Sequence, residues 1–169
     1  MLTARPQPKR KTVTTHLFRA ADIAALPESA STHQFNSNAI RHVRTLTQPA
    51  GLERTGLHVV RLTTGHESTE HHSHTHDEEF LVVLSGRGKA LIGDETFDIE
   101  AGDLMAFPAD SPAHSMSNPY PEDLVYLMGG ERNTNDVVYY PRLKRSMVKA
   151  GGNRYWSNWD DQHELPPKF

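Results

Sequence analysis

Residues 65–86 read Gly-His-Glu-Ser-Thr-Glu-His-His-Ser-His-Thr-His-Asp-Glu-Glu-Phe-Leu-Val-Val-Leu-Ser-Gly. Five of the chain's eleven histidines lie in this stretch. The acidic triplet Asp77-Glu78-Glu79 follows them, then an apolar run from Phe80 to Leu84 that ends at the Gly86 turn. Imidazole and carboxylate gathered at the start of a strand are the raw material of a transition-metal site. Successive strand residues alternate between faces, so His72 and His74 point the same way and can grip one ion together. Glu79 lies five residues beyond His74, an odd number, and would face away on an unbroken strand. It can join the histidines only if the chain bends or bulges between Thr75 and Glu78.

The pattern around this segment is one of short strands and tight turns. Leu57 to Thr64 is β-rich and stops at Gly65. Lys89 to Ile92 lies between the Gly86-Arg87-Gly88 and Gly93-Asp94 turns. Thr96 to Glu100 alternates strictly, with Phe97 and Ile99 on one face. Leu104 to Phe107 stops at Pro108, and Ala113 to Asn118 and Leu124 to Met128 complete the set. Strands this closely spaced, with glycine turns and no helix of useful length between them, indicate an antiparallel barrel or sandwich. Residues 1–35 read as an N-terminal arm with a short helix from Ala20 to Leu26, stopped at Pro27. Residues 36–145 read as the β-barrel and 146–169 as a C-terminal aromatic tail. Tyr139, Tyr140, Trp156 and Trp159 are expected to bury against the outside of the barrel or a partner subunit.

Length and composition set limits. A chain of 169 residues with formal charge −3 holds one domain with extensions. Lys9-Arg10-Lys11 is a solvated basic cluster, so no nucleic-acid partner is expected. No apolar stretch approaches the ~20 residues of a membrane helix, and no secretory signal is seen. A cytoplasmic protein is expected. With no cysteine, a metal site must use imidazole and carboxylate, which excludes thiolate-rich structural zinc sites.

Gly65, His72-Ser73-His74, Glu79 and Gly86, followed by Gly102, Pro108, His114 and Asn118, resemble the two motifs of the cupin family. Two departures stand out: Asp110 occupies a motif glycine position, and three residues rather than two then precede His114. The likeness is to small bacterial single-domain cupins described as sugar-phosphate-isomerase-like. It implies an all-β fold, a conical double-stranded β-helix (jelly-roll) barrel, with motifs at 65–86 and 102–118. It also implies the ligand set His72, His74, Glu79 and His114 around one divalent transition metal. Fe, Mn, Ni, Zn and Cu all suit such nitrogen and oxygen donors. Three neutral imidazoles and one carboxylate leave net charge near +1, and open positions beside the ion permit Lewis-acid or O2 chemistry.

Around this set, His71 is expected on the surface, and His76 and His66 in solvent. Glu78 is an alternative to Glu79. Met116 shares the face of His114 and lines the cavity or the core, and Tyr126 is a candidate pocket hydroxyl. His58 and Arg61 have opposite parity, so one of them faces inward. The functional expectation is a metal-dependent enzyme on a small polar metabolite, of isomerase, epimerase, lyase or dioxygenase type. The alternative is a cupin that binds or senses a small ligand without turnover. A homodimer is expected, with no catalytic acid or base identified.

Overall fold

A computed structural model describes residues 16–161. The basic cluster Lys9-Arg10-Lys11, the rest of the arm before residue 16 and the tail beyond 161 lie outside the described residues. The chain runs through α1 (Ala20–Ala24), β1 (Ser29–His33), β2 (Asn36–Thr45), β3 (Thr55–Leu62), β4 (Ser73–His74), β5 (Glu79–Ser85) and β6 (Arg87–Ile92). It continues through β7 (Glu95–Glu100), β8 (Leu104–Phe107), β9 (His114–Ser117), β10 (Leu124–Glu131), β11 (Asp136–Tyr140), β12 (Arg145–Ala150) and β13 (Asn153–Asn158). The helix expected from Ala20 to Leu26 is present but ends at Ala24. None of its residues is buried, so packing does not extend it.

The strands form three antiparallel sheets, ordered β1-β2-β3-β10-β5-β8, β13-β12-β11-β4 and β7-β6-β9. The second and third are joined where His72 and His114 bridge in antiparallel fashion. Together they face the six-stranded sheet. Alternation supplies the packing: Val60 and Leu62 on β3, Leu81 and Val83 on β5, and Leu124 and Tyr126 on β10 point inward and are buried. Each fully buried Val or Leu contributes about 1.5–3 kcal/mol. Leu84, next in the apolar run, takes the opposite face and is exposed. Phe97 keeps the parity of Ile99 but is exposed where Ile99 is buried.

Two turn residues show what the motif spacing is for. Gly86 has φ +80, and a Cβ there would run into the Asp123 carbonyl oxygen. Only glycine allows β5 to turn into β6 at that distance. Asp110, standing where the motif has glycine, adopts φ +60. Asp is among the few residues that tolerate this left-handed region. Its N–H donates to the His74 carbonyl at 2.8 Å, which pins β4 to the loop before β9. Asn118 is fully buried and bridges the Leu62 and Glu122 carbonyls at 2.9 and 2.8 Å. Its place in the motif is therefore that of a loop clamp.

The expected arm and tail join the sheets. The boundary after residue 35 falls in the turn between β1 and β2, which pair as a hairpin. The segment from 146 supplies most of β12 and all of β13. Phe35 meets Trp156 edge to face at 4.8 Å, and Trp156 packs on Tyr140 at 5.4 Å, so hairpin and last strand meet over the barrel mouth. Tyr140 and Trp156 line the cavity, a correction to the expectation that these aromatics bury outside the barrel. Tyr140 turns inward because it keeps the parity of buried Val138 on β11.

Candidate metal centre

The backbone explains how the motif residues meet. His72 N–H donates to the His114 carbonyl at 3.1 Å and His114 N–H to the His72 carbonyl at 2.7 Å, so their side chains stand beside each other. The ring centroids are 4.8 Å apart. His74, two residues on, takes the same face, with its ring 5.1 Å from that of His72. The chain then bends through Thr75 and His76, outside any strand, and re-enters the opposite sheet at Glu79. This is the break that the odd spacing demands. Glu79 Oε2 lies 3.2 Å from His114 Nε2 and 3.9 Å from His72 Nε2. Ligand atoms of His72, His74 and Glu79 all lie within 4.8 Å of one another. Donors sharing one ion at about 2.0–2.2 Å stand up to ~4.4 Å apart, so small side-chain movements suffice.

Each imidazole is held through Nδ1. His72 Nδ1 meets the Glu70 carbonyl at 3.0 Å, His74 Nδ1 meets Asp136 Oδ2 at 2.8 Å, and His114 Nδ1 approaches the Pro112 carbonyl at 3.5 Å. An acceptor at Nδ1 fixes the proton there and leaves the Nε2 lone pair for a metal. The ring of Phe107 stacks on His114 at 3.6 Å and 4°, which locks its plane. Protonation is arranged to match. Burial brings the His72 imidazole down to about 3, neutral at ordinary pH. Burial opposes the charge on Glu79, but the His114 hydrogen bond and the fields of His72 and His114 outweigh it and bring that carboxyl down to about 2. Neutral imidazole and ionised carboxylate are the forms that ligate. The donor set therefore fits a divalent transition metal.

Asp136 carries no sequence motif, yet it organises one side of the site. Its carboxylate is fully buried. It accepts from His74 Nδ1, from the His76 N–H at 3.0 Å and from Lys149 Nζ at 3.2 Å. Burial would raise this carboxyl, but the His74 hydrogen bond and charge and the Lys149 ammonium hold it well below the ordinary carboxylate range. Lys149 also pairs with buried Asp77. His74, Asp77 and Asp136 lie close enough to suggest a second cation site. Lys149 already supplies the positive charge there, so this cluster is an ion-pair network.

The remaining candidates divide clearly. His71 is 6% exposed, a correction to its expected surface position. It does face away from His72, but Ser115 of β9 covers that side, with its Oγ 3.2 Å from His71 Nδ1. His76 is exposed and His66 half-buried; Glu78 is exposed at the cavity rim. His58 is the inward residue of its strand and lines the cavity, while Arg61 pairs outside with Glu28 and Asp123. Met116 and Tyr126 are both core and cavity wall. The cavity measures about 840 Å³, within the range of small-molecule sites.

An antiparallel barrel with three histidines and a glutamate converging at its mouth defines a class. The cupin-domain profile matches residues 58–130. A protein from Acidithiobacillus ferrooxidans, which bears the provisional name sugar phosphate isomerase, shares 33% identity over 89% of this chain and 97% of its own, at TM-score 0.86. This chain belongs to the cupin superfamily. A cupin-superfamily sugar phosphate isomerase from Silicibacter pomeroyi is similar in fold, at TM-score 0.74 and 23% identity over 85% of this chain and 95% of its own. An oxalate decarboxylase assigned by prediction in Thermotoga maritima shares the barrel, at TM-score 0.55 and 17% identity over 66% of this chain and 96% of its own. No curated protein matches the chain. Among the described residues no helix is long and apolar enough to cross a membrane.

Proposed function

We propose that this cupin is a metal-dependent enzyme of isomerase type acting on a small polar metabolite, with a sugar phosphate as the substrate class. His72, His74, Glu79 and His114 are the ligands in this reading. The observation that carries it is the set of three Nδ1-anchored imidazoles around Glu79 at the wall of an open cavity. The substrate class rests on similarity to the A. ferrooxidans protein of that provisional name.

A divalent ion held there would supply Lewis-acid polarisation of a substrate carbonyl. The chain's own residues provide the rest. Glu70, Asp136 and Pro112 orient the imidazoles, Phe107 fixes one ring plane, and Tyr140, stacked at 5.8 Å on His72, narrows water access. His58 is the candidate proton acceptor. Its Nδ1 is engaged with Thr45 Oγ1 at 3.2 Å, and burial together with the Arg41 and Arg132 charges lowers its pKa, so a neutral imidazole faces the cavity. A cytoplasmic homodimer completes the proposal. Exposed Tyr155 on edge strand β13, on the face opposite cavity-lining Trp156, supports the dimer as apolar surface available for pairing.

The test is metal content of protein purified without chelator, followed by NMR of proton exchange with D2O on a panel of aldose and ketose phosphates. Stoichiometric metal and chelator-sensitive exchange, lost in His58→Ala, are expected. Protein that takes up no divalent metal on reconstitution refutes the metal centre. Metal with O2 uptake and no exchange replaces the isomerase with a dioxygenase. Binding without turnover of any substrate leaves a sensing module.

A further inference from the structure

The same cavity contains two hydrogen-bond donors that the metal cluster does not use. Arg41 sits on β2 between Ala39, which is buried, and Arg41's next like-parity neighbour Val43, which packs on the core. Alternation turns Arg41 inward, and it lines the cavity. The basic residues of opposite parity on this strand, His42 and Arg44, turn out to Glu28. Arg41 has no such partner: among the described residues no carboxylate lies within 4.0 Å of it. Its one hydrogen bond is from Nη1 to Met128 Sδ at 3.9 Å, a weak acceptor. A half-buried guanidinium without an anion is costly, and relief of that cost is available to any anion that enters.

Tyr126 is the second donor. It stands on β10, is 0% exposed, lines the cavity, and its hydroxyl makes no well-formed hydrogen bond. Leaving a buried hydroxyl unpaired costs about 1–3 kcal/mol. Burial raises this phenol, and the Arg41 guanidinium acts on it through its charge and a side-chain contact, so the two donors are neighbours. Among the exposed lining residues, Arg132 and Arg154 are interleaved with Glu53, Glu78 and Glu131, so anion selection falls to the inner pair, Arg41 and Tyr126.

We propose that Arg41 and Tyr126 form an oxyanion-binding subsite that takes the carboxylate or phosphate end of a small ligand whose other end reaches the His72, His74, Glu79 and His114 cluster. The guanidinium fork presents parallel N–H groups to two oxygens of one anion, and the phenol donates to a third position. The second half of the proposal rests on the reading of that cluster as a metal centre; anion capture needs only Arg41 and Tyr126.

The experiment is isothermal titration of the full chain at constant ionic strength with inorganic phosphate and, separately, with glycolate. Wild type, Arg41→Met, Arg41→Lys, Tyr126→Phe and His72→Ala are compared. Arg41→Met should weaken the preferred probe about 10- to 100-fold and Tyr126→Phe about 3- to 10-fold, with Arg41→Lys between wild type and Arg41→Met. His72→Ala should lose metal and keep anion binding within about 3-fold, because it leaves the two anion donors intact. The two readings thus fail separately. Tighter phosphate or tighter glycolate identifies the oxyanion. The same site is read without substitution by phenylglyoxal labelling and mass spectrometry, in which the preferred anion should protect Arg41 and leave Arg44 unchanged. Arg41→Met binding both probes like wild type, wild type binding neither, or Arg41 labelling unaffected by either anion would overturn the proposal.

Discussion

Asp136→Asn should separate the orientation of a ligand from the stability of the barrel. The substitution keeps the volume, and Asn Oδ1 can still accept from the His76 N–H. Its amide NH2, however, would meet His74 Nδ1 and the Lys149 ammonium where a carboxylate oxygen now accepts from both. The clash of donors is relieved if His74 takes the other tautomer, with its proton on Nε2. That nitrogen then cannot ligate. Loss of such an orienting partner lowers metal affinity about 10- to 100-fold, or about 1.4–2.8 kcal/mol. Breaking a buried ion pair costs about 3–5 kcal/mol, and the low end applies because Lys149 keeps Asp77. The control is Asp77→Asn, which removes a carboxylate from the same lysine without touching His74. It should destabilise the fold but hold metal within about 3-fold of wild type, since the side chain of Asp77 bonds Asn133 and Lys149 and the Asp136 contact with His74 stays in place. Affinity is read by competition titration against a chelator and stability by urea unfolding of chelated protein. Metal binding by Asp136→Asn at wild-type affinity, or an equal loss in Asp77→Asn, would refute the tautomer argument.

Five further outcomes are expected. His74→Ala should abolish stoichiometric metal binding by elemental analysis while His71→Ala retains it, for His71 is buried on the side away from the cluster. Chelated protein should unfold cooperatively and lose stability as pH falls: His72, lowered from 6.5 to about 3, contributes fully above 6.5 and progressively less toward 3, because the unfolded chain takes up its proton first. Glu79, lowered from 4.5 to about 2, adds a second loss below 4.5, and urea unfolding across this range should show both. Metal at 100 times its dissociation constant adds about 2.7 kcal/mol at pH 7.5, and the rise in Tm should shrink toward pH 5 as protons compete. Gly86→Ala should cost more than about 2 kcal/mol, combining positive φ with the Asp123 collision, whereas Gly65→Ala, at φ +82 in open space, should cost about 1 kcal/mol. Light scattering should give a dimer whose dissociation constant rises in a Tyr155→Ser variant; a monomer at high micromolar concentration refutes it.

What was legible in the sequence was local. The strands from β3 to β10 follow from alternation and glycine turns because both are properties of a few consecutive residues. The break between His74 and Glu79 was also legible, since parity alone forbids the cluster without it, and the chain does leave one sheet and enter another there. Asp110 shows how a motif departure can be read physically: the position demands a left-handed backbone, and Asp satisfies that demand as Gly would. By contrast, β2, β11, β12 and β13 carry weaker alternation and more polar residues. Their strand character is set by pairing more than by pattern: β1-β2 and β11-β12-β13 are hairpins, which β2 joins to the barrel through β3 and β11 through β4.

The site divides along the same line. Parity told that His71 and His72 face opposite ways, but a face is solvent-exposed only if nothing covers it, and Ser115 covers His71. Asp136 lies 62 residues from His74 and meets it because β11 pairs with β4, Val138 opposite His74. No spacing rule reaches that far. Arg41 was hidden for a related reason: its inward direction is plain only once β2 is known to be a strand with Ala39 and Val43 on its core face. The groups that would touch an ion are thus written within two short motifs. Asp136, which fixes a tautomer, and Arg41, which waits for an anion, come from strands added at either end of the barrel. Two cupins with identical motifs can therefore differ in metal affinity and ligand charge through positions such as 41, 136 and 149. Specificity in this chain is accordingly sought at those positions, with the four motif residues left intact.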